Sequence, residues 1–244
     1  MKKMNFKNIL FSAALAAGAM SLASCSLDEE NPGGFTMENM AANSVESYQT
    51  LLNQCYFGME RFLYGTDGFM ELTEGDTDLW TYQGNQNTSY TQYFWFFAGA
   101  APNTTYTNGI WNSLYDGIGS CNMAISLANK APFKTEAEKN AKVAEARFLR
   151  AIYYFNAVEQ FGGVTMITEP ASSMNFAPTR TEPLTIYKDI IIPDLEFAVE
   201  WLDKGNDATT TQPTKKAALG MLAKVCLQTK EYATDEYIPE ALDA

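Results

Sequence analysis

The sequence predicts a mainly all-α protein, with helices in antiparallel pairs stacked as a solenoid and long decorated loops between some of them. Three observations carry this expectation. Apolar residues recur at helical spacing in five segments beyond residue 44. The third segment is bounded by a capping box and a glycine pair, which mark a start and a stop. The fifth carries small residues at a spacing that lets helices approach closely.

Residues 1–24 read as a secretory signal. Lys2, Lys3 and Lys7 precede an apolar run from Ile9 to Met20, which is too short to span a membrane and has no polar face. Leu22-Ala23-Ser24-Cys25 resembles the lipobox of bacterial lipoproteins. That resemblance implies cleavage before Cys25 and lipidation of its sulfur and amine; two or more acyl chains on one residue give stable anchoring. Ser26-Leu27-Asp28-Glu29-Glu30 is similar to the acidic surface-export signal of Bacteroidetes lipoproteins, and Asn31-Pro32-Gly33-Gly34 reads as a flexible linker. Residues 25–44 are therefore expected to be a tether, and 45–244 a helical domain.

The first helix is expected over Val45 to Leu63, with Leu51, Leu52, Cys55, Tyr56, Met59 and Phe62 on one face. The second runs from Ile110 to Asn129, with Trp111, Leu114, Ile118, Cys121, Ile125 and Ala128 inward. The third opens at the capping box Thr135-Glu136-Ala137-Glu138 and ends at Gly162-Gly163; Ala144, Phe148, Ala151, Ile152, Phe155 and Val158 form its stripe. The fourth covers Leu184 to Leu202, with a kink or break expected at Pro193. The fifth covers Lys215 to Lys230, where Ala217, Ala218, Gly220 and Ala223 would admit a close neighbour. That pattern, followed by Glu231-Tyr232, resembles the first helix of a tetratricopeptide unit. Helix five lacks a complete partner after it, so the chain is expected to be the N-terminal part of a longer protein.

Two loops stand out. Gly65 to Gly109 holds Trp80, Tyr82, Tyr90, Tyr106 and the run Tyr93 to Phe97 among Asn, Gln, Thr and Gly. A loop of that length is functional or carries structure of its own. The second runs from Gly162 to Pro183.

Composition excludes several function classes. The chain of 244 residues contains no histidine, which removes Ser-His-Asp and Cys-His catalysis and His-ligated zinc. The net charge is −12; without the three leader lysines, 14 basic residues face 29 acidic ones, or −15. Such a surface repels phosphate backbones, so no nucleic-acid partner is expected. Cys55, Cys121 and Cys226 are widely spaced, form no CxxC and lie among apolar residues, so they read as buried free thiols. No metal site, catalytic group or cofactor is expected.

Glu145-Ala146-Arg147-Phe148-Leu149-Arg150-Ala151-Ile152-Tyr153-Tyr154-Phe155, then Phe161-Gly162-Gly163-Val164 and Thr168-Glu169-Pro170, resembles the hallmark of the SusD/RagB family. Trp111 to Asn122 is similar to that family's preceding helix, and Ala217 to Tyr232 to its next repeat. The resemblance implies a surface lipoprotein of Bacteroidetes, anchored through Cys25 in the outer membrane and facing the exterior. It implies a protein that is not an enzyme, binds oligosaccharide or in some branches peptide, and closes over a SusC-like TonB-dependent β-barrel transporter. The alternative is a scaffold or peptide-binding lipoprotein with the same helix pairs.

Trp80 and Tyr82 are the candidate ligand contacts, with Asp78 and Asn85 beside them. A sugar's C–H face stacks on an aromatic ring, and its hydroxyls need amides and carboxylates. Asp76 to Asn85 offers both kinds of group, and the resemblance implies that this loop touches glycan. The other reading of Trp80 is a plug in the helix bundle. Glu71, Glu74, Asp76 and Asp78 invite a glycosidase reading, which needs two carboxyls set across a sugar, but acidic residues in a loop are usually just solvated and are read so here. Arg147 and Arg150 read as structural, pairing with acids such as Glu145 and Glu159.

Overall fold

The computed structural model describes residues 34, 36–60, 73–74, 77, 105–170, 178–205 and 211–229. The chain divides into two units, Met1–Phe35 and Thr36–Ala244, and the helices described all belong to the second. They are α1 (Met37–Asn43), α2 (Val45–Gln54), α3 (Thr105–Leu127), α4 (Glu136–Phe161), α5 (Pro183–Ile186), α6 (Ile192–Trp201) and α7 (Lys215–Thr229). Among the described residues there is no strand, only one isolated antiparallel bridge between Val164 and Thr181.

Short polar residues start the helices. The hydroxyls of Thr36, Ser44 and Thr135 accept the amides of Asn39, Ser47 and Glu138 at 3.1, 3.0 and 3.1 Å. The predicted capping box is present in a shifted form: the Glu138 carboxylate accepts from the amide of Lys134, one residue before the cap, at 2.9 Å. Gly162, at φ 68, ends α4. Thr135→Ala removes one acceptor from a helix start, and thermal unfolding should register a loss of about 1 kcal/mol.

The helices stack in sequence order. α2 lies on α3, α3 on α4, α4 on α6 and α6 on α7. Side-chain partners show that three of these pairs are antiparallel. Tyr48 meets Ala124 while Gly58 meets Ser113. Trp111 meets Phe161 while Asn122 meets Arg150. Arg147 meets Phe197 while Tyr187 meets Glu159. The predicted pairing of helices is thus realised.

Four tyrosines are fully buried in the core: Tyr48, Tyr153, Tyr154 and Tyr187. An unpaired hydroxyl there would cost roughly 1–3 kcal/mol, and each has a partner. They donate to the carbonyls of Ala124, Cys55 and Ile167 and to the Glu159 carboxylate, at 2.8, 2.6, 2.8 and 2.6 Å. Burial pushes the phenols of Tyr48, Tyr153 and Tyr154 far above their ordinary range, so they remain donors.

Several sequence expectations need correction. α1 lies within the residues assigned to the tether; its Ala41 is buried, and its Glu38 pairs with Lys130 at 2.6 Å. α2 ends at Gln54 rather than running unbroken to Leu63. The chain turns at Cys55 and Tyr56 and is helical again over 57–60, which sets Gly58 against the Ser113 carbonyl. Pro193 does not break its helix. A wide π turn over Tyr187–Ile191 precedes it, with the Ile192 amide bonded to the carbonyl of Tyr187, and the chain stays helical to Trp201. On α7 only Ala218 of the small residues is buried; Ala217, Gly220 and Ala223 face outward with Leu219 and Leu227. α7 packs on α6, and its buried residues are Ala218, Leu222, Val225 and Thr229.

Candidate functional site

α2 and α3 flank the long aromatic segment in the sequence. A Cβ on Gly58 would stand 2.6 Å from the Ser113 carbonyl oxygen, so the backbones nearly touch there. The residues on either side of 61–104 therefore emerge at the same end of the α2–α3 pair. Trp80, Tyr82, Asp78 and Asn85 fall in that segment and lie outside the described residues, as do Tyr93 to Phe97 and the lipidation candidate Cys25. Just before Asp78 the Thr77 amide and hydroxyl both donate to the Glu74 carbonyl, at 3.2 and 2.8 Å.

In the second loop, residues 165–169 are tied to α3 and α4 as a strap, and Thr181 near its finish is tied back to Val164 at its start. The amide of Thr181 donates to the Val164 carbonyl at 2.9 Å. Gly163 sits so close to Thr181 that a Cβ would stand 2.6 Å from its carbonyl oxygen. Tyr115 donates to the Thr165 carbonyl at 2.8 Å. The Tyr154 hydroxyl bridges both backbone groups of Ile167, donating to its carbonyl at 2.8 Å and accepting from its amide at 2.7 Å. Asn122 donates to the carbonyls of Ile167 and Glu169 at 2.9 and 3.4 Å.

A buried polar relay fixes Asn122. Arg150 Nη1 donates to Asn122 Oδ1 at 2.8 Å, while its Nε and Nη2 hold the two oxygens of Asp194 at 2.7 and 2.9 Å. This is a bidentate pair, with side chains 9% and 3% exposed. Burial alone would lower the guanidinium's pKa, but the hydrogen bonds and charge of Asp194 raise it above the ordinary value. Burial likewise pushes the Asp194 carboxyl upward, against the pull of Arg150 and Arg147. The two-pronged geometry is that of an ionised pair.

The arginines' partner therefore differs from the expectation. It is Asp194 on α6, not Glu145 or Glu159. Glu145 accepts from Tyr56 at 2.5 Å and lies 3.7 Å from Lys142, while Glu159 accepts from Tyr187. Arg147 covers the Phe197 ring at 4.3 Å and reaches Asp194 at 3.8 Å. Asp194 and Asn122 are the partners of Arg150 that sequence reading missed. Arg150 stands off the apolar stripe read from the sequence, yet it is 8% exposed in the fold, and a buried arginine demands an acid opposite.

A groove of about 490 Å³ opens between α1, α2 and α3. Met37, Leu51, Tyr115 and Met123 supply apolar walls, and Gln54, Asp116 and Ser120 add polar groups. Among the described residues no cluster of three Cys, Asp or Glu could hold a metal ion. No helix among them is long and apolar enough to cross a membrane.

Residues 27–227 match a family model described as starch-binding and associating with the outer membrane. The chain belongs to the SusD-like family. It is 30% identical over 214 residues to SusD-like protein P2 of Formosa agariphila, spanning 85% of this chain and 41% of that one. A SusD superfamily structure from Parabacteroides distasonis superposes with a TM-score of 0.62 at 27% identity, covering 75% of this chain and 39% of the other. A further structure, solved with xylogluco-oligosaccharide, superposes with a TM-score of 0.51 at 28% identity, covering 57% of this chain and 27% of the other. This SusD-like chain thus spans less than half the length of the curated relatives it matches.

Proposed function

We propose that this SusD-like chain is a cell-surface glycan-binding lipoprotein, anchored in the outer membrane through lipidated Cys25, which delivers oligosaccharide to a SusC-like TonB-dependent transporter. The observation that carries the reading is the match over residues 27–227 to a starch-binding, outer-membrane-associating family. The structural neighbour solved with xylogluco-oligosaccharide supports a glycan ligand. The role asks for capture and release without covalent chemistry, and a chain without histidine suits it.

In this reading Trp80 and Tyr82 stack on sugar faces, while Asp78 and Asn85 hydrogen-bond the hydroxyls. The helix pairs and the anchored strap serve as the rigid base that holds the residues on either side of 61–104. Rigid supports limit the ordering cost of binding.

The test is a calorimetric titration of the full-length gene product with starch and xyloglucan oligosaccharides. Trp80→Ala should weaken binding by roughly tenfold, the loss of one stacking contact, and leave the melting temperature near wild type. Retained affinity with a large loss of stability would place Trp80 in the core instead. Heat with peptides alone would replace the glycan reading with the peptide-binding alternative.

A further inference from the structure

The groove between α1, α2 and α3 has a feature that the packing of the helices does not explain. Gly119 lines it in the middle of α3, between Tyr115 and Met123. It is exposed, and a Cβ there would meet nothing within 4 Å. Glycine inside a helix costs roughly 0.5–1 kcal/mol relative to alanine. At Gly117 the Tyr153 ring requires the missing side chain, whereas at Gly119 no described residue does. Bare backbone facing open space leaves room for something from outside to lie against it.

The rest of the groove says what that is. Its apolar wall includes two methionines, Met37 and Met123, and Met37 is 53% exposed. Such unbranched, polarisable side chains adapt to a partner's surface. The frame is acidic. Residues 36–60 and 105–127 carry Glu38, Glu46, Glu60 and Asp116 and no Lys or Arg. Lys130, beyond α3, pairs with Glu38. Asp116 is exposed, lines the groove and has no cation beside it among the described residues. Such a frame attracts a cationic partner and repels a second copy that presents the same face. A sugar is served poorly here: the lining ring is Tyr115, whose hydroxyl is already committed to the Thr165 carbonyl, and the methionine and leucine walls offer sugar hydroxyls no partner.

We propose that this groove docks a short basic and apolar segment of another protein chain. Apolar side chains of the segment sit between Met37, Leu51 and Met123, its backbone passes over Gly119, and a Lys or Arg pairs with Asp116. The role is separate from the glycan reading, since the groove shares no residue with Asp78, Trp80, Tyr82 and Asn85.

Random dodecapeptides displayed on phage are selected on the full-length gene product and depleted on its Gly119→Leu variant, whose new side chain fills the groove. Enriched sequences should combine large apolar residues with net positive charge. The strongest of them, as a labelled synthetic peptide followed by fluorescence anisotropy, should bind roughly tenfold or more weakly to Gly119→Leu and to Asp116→Lys. Trp80→Ala should leave its affinity unchanged, which separates this result from the fate of the glycan reading. No enrichment, or enrichment of neutral or acidic sequences, overturns the proposal. Equal affinity for wild type and Gly119→Leu also overturns it, as unspecific attraction to a negative surface. If Gly119→Leu fails to fold, Asp116→Lys, a change at one exposed side chain, takes its place in both the depletion and the comparison. Loss of starch-oligosaccharide binding in the groove variants would give the groove to sugar, and loss of self-association in sedimentation would give it to a second copy; either result counts against the proposal.

Discussion

Asp194→Ala should lower the unfolding free energy by about 3–5 kcal/mol, read from the urea midpoint. Arg150 makes three hydrogen bonds, two of them to Asp194, with both side chains almost completely withdrawn from water. Truncating Asp194 leaves a guanidinium in the core facing only Asn122 and, at one remove, the positive Arg147. The loss measures the uncompensated charge, not the net worth of the pair. The double variant R150M/D194L, with the charges gone and the volume kept, should therefore recover most of the stability lost by Asp194→Ala. A cost below about 1 kcal/mol for Asp194→Ala would mean that water reaches the pair and screens it.

Gly117→Ala should cost about 3 kcal/mol, the upper part of the range for overpacking. A Cβ at position 117 would lie 2.2, 2.4 and 2.5 Å from three atoms of the Tyr153 ring. The ring cannot step aside easily, because Tyr153 is fully buried and its hydroxyl is tied to the Cys55 carbonyl. Gly119 provides the control on the same helix. A Cβ there meets nothing within 4 Å, so Gly119→Ala should stabilise α3 by roughly 0.5–1 kcal/mol through helix propensity. Opposite signs two residues apart, in thermal or urea unfolding, would establish Gly117 as the contact point of α3 and α4.

Much of the fold was legible in the sequence because the signals are local. Thr135, Glu138 and Gly162 mark the ends of α4 by backbone chemistry, and the stripe through Ala144, Phe148, Ala151 and Phe155 faces the core as its spacing implies. Where reading failed, the deciding forces were tertiary. Thr36 offers a local cap before Met37–Asn43, but only the fold brings Ala41 into the core and Glu38 to Lys130. Small residues on α7 read as a contact face by composition, yet Gly220 and Ala223 point away from α6. Pro193 signalled trouble for a helix, but only packing determines that a π turn absorbs it. Arg150 was visible, whereas its partner 44 residues away could not be chosen among the acids without the fold.

The candidate site divides the same way. The hallmark around Arg150 explains the scaffold: it orients Asn122 and, with Tyr154, ties down the strap at Ile167. The ligand contacts proposed at Trp80 and Tyr82 rest on residue chemistry and on the family, and the helices establish only where their segment begins and returns.

In the proposed function a stiff helical base supports glycan binding by the 61–104 segment. Hydrogen exchange of the full-length protein, with and without a saturating oligosaccharide, tests it most directly. Exchange should slow in peptides covering residues 76–97 and stay unchanged in the α4 core around residues 143–158. Protection confined to the α1–α3 groove, or to the helices with none in 76–97, would contradict it.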